Sequence, residues 1–240
     1  MKAYASTHVG KVRSINEDAF FVPENGESFA AVADGMGGHL AGEVASRMAI
    51  EAFASALRGR VIDEAALRQA VSEANASIYH ESQRDPLKHG MGTTLTAVCL
   101  WDGVVYLTHV GDSRAYLLRN RALMQLSNDH SLVNELMEQG KITPREALNH
   151  PQRNFITRAL GTNRHVQPDI LRIDYQAGDV WLLCSDGMSN YLRNYEIAAI
   201  LMRDASWPEK LDMLTETALS RGGGDNITVV VVPGEEDDDA

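Results

Sequence analysis

Residues 93–120 read TTLTAVCLWDGVVYLTHVGDSRAYLLRN, and the period of that stretch decides the fold. Leu95, Ala97, Cys99 and Trp101 alternate onto one face, the spacing of a half-buried strand and not of a helix. Asp102-Gly103 stands where a two-residue hairpin turn with positive φ would sit, and a second turn is expected near Asn120-Arg121. The stretch therefore predicts an antiparallel meander.

On either side the pattern changes to helix and back. Ala45, Met48, Ala49, Ala52, Phe53, Ala56 and Leu57 give residues 41–58 one apolar stripe, and Leu67, Ala70, Val71, Ala74 and Ile78 do the same for 63–82. Thr143-Pro144-Arg145-Glu146 and Ser206-Trp207-Pro208-Glu209 each offer a hydroxyl cap, a Pro in the first turn and a Glu three residues on, predicting helices near 144–149 and 208–220. Further strands are expected at 2–8, 18–22, 28–34, 168–175, 179–185 and 226–232. Strands that pair antiparallel, with helices set apart from them, make an α+β class.

At 240 residues the chain fits one domain with a substantial core. Its net charge of −11 argues against nucleic acid and against an anionic membrane surface, both of which need a basic footprint. The acidic end, residues 235–240, reads as a disordered tail. No signal-peptide core and no apolar run of membrane-spanning length occur, so a cytoplasmic protein is expected. Cys99 and Cys184 lie inside apolar strands and read as buried thiols. A thiolate phosphatase needs an Arg six positions beyond its Cys, and Val105 and Asn190 stand there instead.

Chemistry enters through the strand ends. FAAVADGMGGH (29–39) finishes a buried run on Asp34-Gly35, VWLLCSDG (180–187) finishes on Asp186-Gly187, YLTHVGDS (106–113) delivers Asp112, and GGGDNITVVVV (222–232) starts from Asp225. RSINEDAFF (13–21) puts Glu17 and Asp18 at the mouth of another strand. One Asp-Gly is an ordinary turn signal, and the glycines behind Asp34 match neither a dinucleotide fingerprint nor a P-loop. Gathered at one rim, however, the acids would repel by about 4 kcal/mol per close pair at an effective dielectric near 20. Apart from Arg13 and Arg114, few basic residues lie beside them in the sequence. An all-oxygen donor set suits Mg²⁺ or Mn²⁺ over zinc, and the glycines would let carbonyls and waters reach the ion.

Taken in order, R13-x-x-N16-E17-D18, D34-G35-x-G37-G38, M91-G92-T93-T94, G111-D112-S113-R114, S185-D186-G187 and G224-D225-N226-I227-T228 span about residues 5–232. In these motifs the chain resembles the metal-dependent Ser/Thr protein phosphatases of type 2C, in the compact form of the bacterial stand-alone members. The resemblance implies two antiparallel sheets packed as a β-sandwich with helix pairs outside, in one catalytic domain (1–234) with a helical flap at about 128–165. It implies that Asp34 bridges two metal ions, that Gly35 offers a carbonyl to one, and that Asp186 and Asp225 hold the other. Glu17 contacts the metal shell through water, and Asp112 with Asp186 can take a third, weaker ion. Arg13 matches the phosphate-anchoring arginine. The implied reaction is direct attack of a metal-bridging hydroxide on the phosphorus of phosphoserine or phosphothreonine, with no covalent intermediate.

Met36 stands where many eukaryotic relatives carry a His that protonates the leaving oxygen. His39 or a metal-bound water is left for that step, with a structural role as the alternative for His39. The flap region carries Arg145, His150, Arg153, Arg158, Arg164 and His165, a local basicity that reads either as a phosphopeptide-facing wall or as solvated surface. Two rival readings are a phosphoprotein-binding module of the same fold and a Ser hydrolase using Ser113. GDSRA (111–115) imitates a nucleophile elbow, but its flanks read as two antiparallel strands. The expected partners are phosphorylated proteins and a cognate eukaryotic-like Ser/Thr kinase, with the phosphatase itself a monomer.

Overall fold

The computed structural model describes residues 1–24, 26–37 and 41–234. The acidic tail expected at 235–240 lies outside them. Two antiparallel sheets face each other. The first runs in the order β1 (Tyr4–His8), β11 (Ile227–Pro233), β10 (Val180–Cys184), β7 (Arg114–Arg119), β8 (Ala122–Gln125). The second runs β2 (Asp18–Phe21), β3 (Phe29–Met36), β5 (Leu95–Trp101), β6 (Val104–Val110), β9 (Asp169–Asp174), with β4 (Gly92–Thr93) on β3. The meander forms as its period requires. Asp102 and Gly103 take φ of 49° and 71°, and Asn120 and Arg121 take 52° and 65°, the paired left-handed conformations that suit the twist of a two-residue hairpin.

Strand alternation sorts the apolar residues into three cores. Ala30, Val32, Val98, Trp181, Leu183 and Val230 point between the sheets. The intervening residues Phe29, Ala31 and Ala33 point the other way, onto α1 (Ala41–Leu57) and α2 (Glu64–Arg84). On the opposite outer face Leu182, Cys184, Val229 and Val231 pack against α6 (Asn194–Leu201) and α7 (Trp207–Ser220). The buried Ala45 and Ala49 of α1 let that helix lie close on the second sheet. The α7 start carries the expected capping box, Ser206 with Glu209. Both cysteines are free and buried, and burial pushes both thiols up. Among the described residues no helix is long and apolar enough to cross a membrane.

Two expectations need correction. The strand expected to stop at Asp34 continues to Met36, because Gly35 and Met36 pair with Thr93 and Gly92 of β4. The strand expected from residue 2 starts at Tyr4. Between β8 and β9 the chain leaves both sheets for α3 (Leu132–Glu138), α4 (Pro144–Leu148) and loops, returning through the single bridges Ser131↔Ile156 and Thr93↔Leu160. Thr143 and Glu146 cap α4 reciprocally, as their spacing predicts.

Trp181 fills the space between the sheets and is 2 % exposed, whereas Trp101 at a hairpin end is 39 % exposed. Trp181→Ala should cost about 3–5 kcal/mol in urea unfolding, and Trp101→Ala less than about 1 kcal/mol. Equal losses would contradict the placement of the inter-sheet core.

Candidate active site

At one end of the sandwich five acids from five separate segments, Glu17, Asp34, Asp112, Asp186 and Asp225, line a pocket of about 260 Å³ together with Arg13. Asp34 is held through its backbone, and Asp186 and Asp225 through their carboxylates. The Asp34 N–H donates to Thr94 Oγ1 at 2.8 Å, and the Asp34 carbonyl accepts from the Thr94 N–H and from Thr93 Oγ1, both at 2.9 Å. Asp112 follows Gly111, whose φ of 114° turns the chain out of β6. Asp186 opens α5 (Asp186–Ser189), and Asn190 Nδ2 donates to its Oδ2 at 3.0 Å. Asp225 accepts from Arg13 Nη2 at 2.9 Å.

Asn226 ties the loop before β2 to the start of β11. Its Nδ2 donates to the carbonyls of Val9 and Ile15, both at 2.9 Å, and its Oδ1 accepts from the Glu17 N–H at 2.8 Å. The loop that carries Arg13 and Glu17 is thereby held beside Asp225. The glycines after Asp34 and Asp186 serve the same close packing. A Cβ on Gly35 would stand 2.1 Å from the Gly42 carbonyl oxygen and 2.5 Å from that of Glu17, and one on Gly187 would stand 1.8 Å from the Asn226 carbonyl oxygen. Neighbouring backbone alone therefore requires that these two positions lack a side chain, a reason additional to any access they give an ion.

The electrostatics are those of crowded acids at a poorly solvated rim. Burial, then repulsion from Asp18, Asp186, Asp112 and Asp225, holds the Asp34 carboxyl well above the usual range. Burial and the Asp186 charge push Asp112 up to about 8. Burial and Asp225 raise Asp186 to about 6. Asp18, directly opposite Asp34 across the β2–β3 pairing, is buried and pushed up to about 7, although Ser185 Oγ donates to it at 2.8 Å. Arg13 is the pocket's one cation among the described residues.

A divalent ion fits this donor set. Every acidic side chain on the wall offers oxygen, and Glu17 Oε1 and Asp18 Oδ1 are buried with no hydrogen-bond partner. The acids stand around the walls, and among the described residues no three of them close on one point. Bound cations would cancel the repulsion that raises these pKa values.

All seven residues singled out for metal or phosphate, Arg13, Glu17, Asp34, Gly35, Asp112, Asp186 and Asp225, meet in this one pocket. His39 lies outside the described residues. Arg114, which in sequence stands beside Asp112, instead grips both oxygens of Asp129 at 2.7–3.0 Å. Ser113 is buried and bonded to Thr94 Oγ1 at 2.8 Å between two antiparallel strands, so it forms no nucleophile elbow. Of the basic residues in the flap region, Arg158 is paired with Asp169, while Arg153 lines a groove adjoining the acids. Asp18, Thr94, Asn190 and Asn226 escaped a functional assignment from sequence. Only the place of Asp18 beside Glu17 hinted at its role.

A two-sheet sandwich with helix pairs outside carries at one end a rim of oxygen donors, the donor set of a hard divalent cation. Residues 7–221 match the family model described as protein phosphatase 2C. The chain is 42 % identical over 242 residues to the serine/threonine phosphatase stp of Listeria monocytogenes, covering 97 % of this chain and 95 % of that protein. The crystal structure of the Mycobacterium tuberculosis serine/threonine phosphatase PstP superposes with a TM-score of 0.90 at 41 % identity, covering 98 % of each chain. A crystal structure of the PstP catalytic domain in complex with two manganese ions superposes at 0.88 with 39 % identity, again covering 98 % of each. The chain belongs to the protein phosphatase 2C family, the metal-dependent serine/threonine protein phosphatases.

Carboxyls with a raised folded-state pKa keep protons that the unfolded chain has already lost, so metal-free stability should fall as pH rises through their folded values. The useful window is 6.5 up to about 8, the latter being the Asp112 value. Below 6.5 the buried histidines, whose pKa values burial lowers, act with the opposite sign. EDTA-treated protein should therefore melt lower at pH 8 than at pH 6.5. Asp34→Asn should raise the pH 8 value by about 2–4 °C per kcal/mol of repulsion relieved. A melting temperature that climbs with pH would contradict the crowded-acid picture.

Proposed function

We propose that the acid pocket holds Mn²⁺ or Mg²⁺ ions and hydrolyses phosphoserine and phosphothreonine in proteins. The observation that carries the reading is the convergence of five carboxylates and one arginine, from segments as distant as residues 13 and 225, in one pocket. Membership of the family and the two manganese ions of PstP support it. Asp34, Asp186 and Asp225 would hold a pair of ions, with the Gly35 carbonyl as a further ligand and Glu17 reaching them through water. Asp112 with Asp186 would take a third, weaker one. When bound, such ions supply a water of lowered pKa and positive charge beside the phosphorus, which removes the need for a protein nucleophile.

The chain's own residues set the geometry. The Asp34 backbone is held by Thr93 and Thr94 within β3, so its carboxylate projects from a segment that is paired on both sides of it. Arg13 is 47 % exposed and donates to Asp225, with Glu17 at 3.8 Å. In the substrate complex it turns its free N–H groups to the phosphoryl oxygens, bidentate as guanidinium favours. Residues 1–234 act as one catalytic domain, with residues 128–165 as a flap beside the cleft. A monomer working in the cytoplasm against a Ser/Thr kinase completes the reading.

Asp34→Asn and Asp186→Asn should each lower Mn²⁺-dependent hydrolysis of p-nitrophenyl phosphate and of a phosphothreonine peptide by about 10²-fold or more, with folding retained by circular dichroism. Arg13→Ala should act mainly on KM, raising it about 10- to 100-fold, the range of a lost charge-assisted hydrogen bond. Near-normal turnover in either Asp variant sinks the assignment, and an unchanged KM removes Arg13 from substrate binding.

A further inference from the structure

The acid pocket opens into a larger groove of about 680 Å³, and the two share Asp112, Asp186, Asp225 and Asn154. One wall belongs to the segment between β8 and β9, with Met137, Leu148 and Arg153, and the other to the turn after α5, with Tyr191 and Arg193. Arg114 and Asp129 neutralise each other through paired hydrogen bonds, and the groove's remaining acids, Asp112, Asp186 and Asp225, lie at the end it shares with the acid pocket. The wall arginines have no such partners. Arg153 donates to the Leu148 carbonyl at 3.3 Å and enters no ion pair among the described residues. Arg193 feels Glu196, but that carboxylate is already gripped on both oxygens by Arg221.

Resting on the phosphatase reading above, we infer that Arg153 and Arg193 make this groove selective for phosphorylated segments whose flanking residues are acidic. With the phosphoryl group at the five carboxylates, residues to either side of it run along the groove between the two guanidinium groups. An Asp or Glu there gains a partner, and a Lys meets two cations. Met137 and Leu148 give the rest of the segment an apolar stretch of wall on the flap side.

The global field points the other way, which makes the inference testable. A molecule of net charge −11 repels acidic peptides and attracts basic ones at long range. Only positive charge local to the groove reverses that preference, from its arginines or from ions at the end it shares with the acid pocket, and the arginine variants separate the two. The experiment compares two phosphothreonine peptides of equal length, one flanked by Asp and one by Lys, with the full chain in Mn²⁺. The wild-type kcat/KM should favour the Asp peptide by about fivefold or more, the limit of one exposed ion pair, and the ratio should shrink as salt is raised. The double variant Arg153→Glu with Arg193→Glu should bring the ratio below one. A wild-type ratio at or below one, or one indifferent to salt, overturns the inference and leaves the phosphatase reading standing. No turnover of either peptide overturns that reading, and the inference with it. Should the double variant fail to fold, the single variants Arg153→Gln and Arg193→Gln take its place: each should lower the ratio, and a ratio unchanged from wild type in both overturns the inference.

Discussion

Like charge held where water cannot screen it is the constraint on which this structure depends. Two carboxylates in contact at such a rim repel by about 4 kcal/mol, and a domain's whole stability is only about 5–15 kcal/mol. Asp34 feels four other acids, so the pocket carries an electrostatic load that Arg13 cannot balance alone. The surrounding structure reads as a frame built to hold that load in place. Two threonines fix the Asp34 backbone, Asn190 braces Asp186, and Ser185 braces Asp18.

The frame explains why a sandwich suits this chemistry. Strands that carry alternating apolar faces are anchored along their length on two cores, so their ends are positioned without any help from the pocket. Acids placed at those ends inherit the rigidity of the sheets. The loops that complete the pocket have no such anchorage and are secured one by one, the clearest case being Asn226, which binds three backbone groups of the segment around Arg13. Gly35 and Gly187 then let those backbones approach more closely than any side chain would permit.

Much of this was legible in the sequence because it is written in local periods. Alternation marked β5 and β6, helical stripes marked α1 and α2, and hydroxyl-Pro-Glu spacing marked α4 and α7. The acids at strand ends named the pocket. What escaped notice is what no local pattern encodes. α3 buries none of its residues and so has no stripe to read, while the four-residue α5 hides behind an Asp-Gly that looks like a turn. The extension of β3 to Met36 depends on a partner strand more than fifty residues away. Only the β2–β3 register sets Asp18 against Asp34, and the atoms that crowd Gly35 and Gly187 come from other segments, so neither relation has a local signal.

β1 and β11 lie side by side from Tyr4↔Val231 to His8↔Ile227, so the two ends of the described chain are neighbours. That adjacency orders events at the ribosome. Arg13, Glu17, Asp34 and Asp112 emerge early, yet the three bonds from Asn226 to the loop bearing the first two form only once residue 226 is out, and the first sheet lacks its second strand until residue 233 follows. Asp225, the fifth acid of the pocket, is likewise among the last of the described residues to emerge. Loss of β11 alone would take the second strand out of the first sheet while leaving all five acids in the chain.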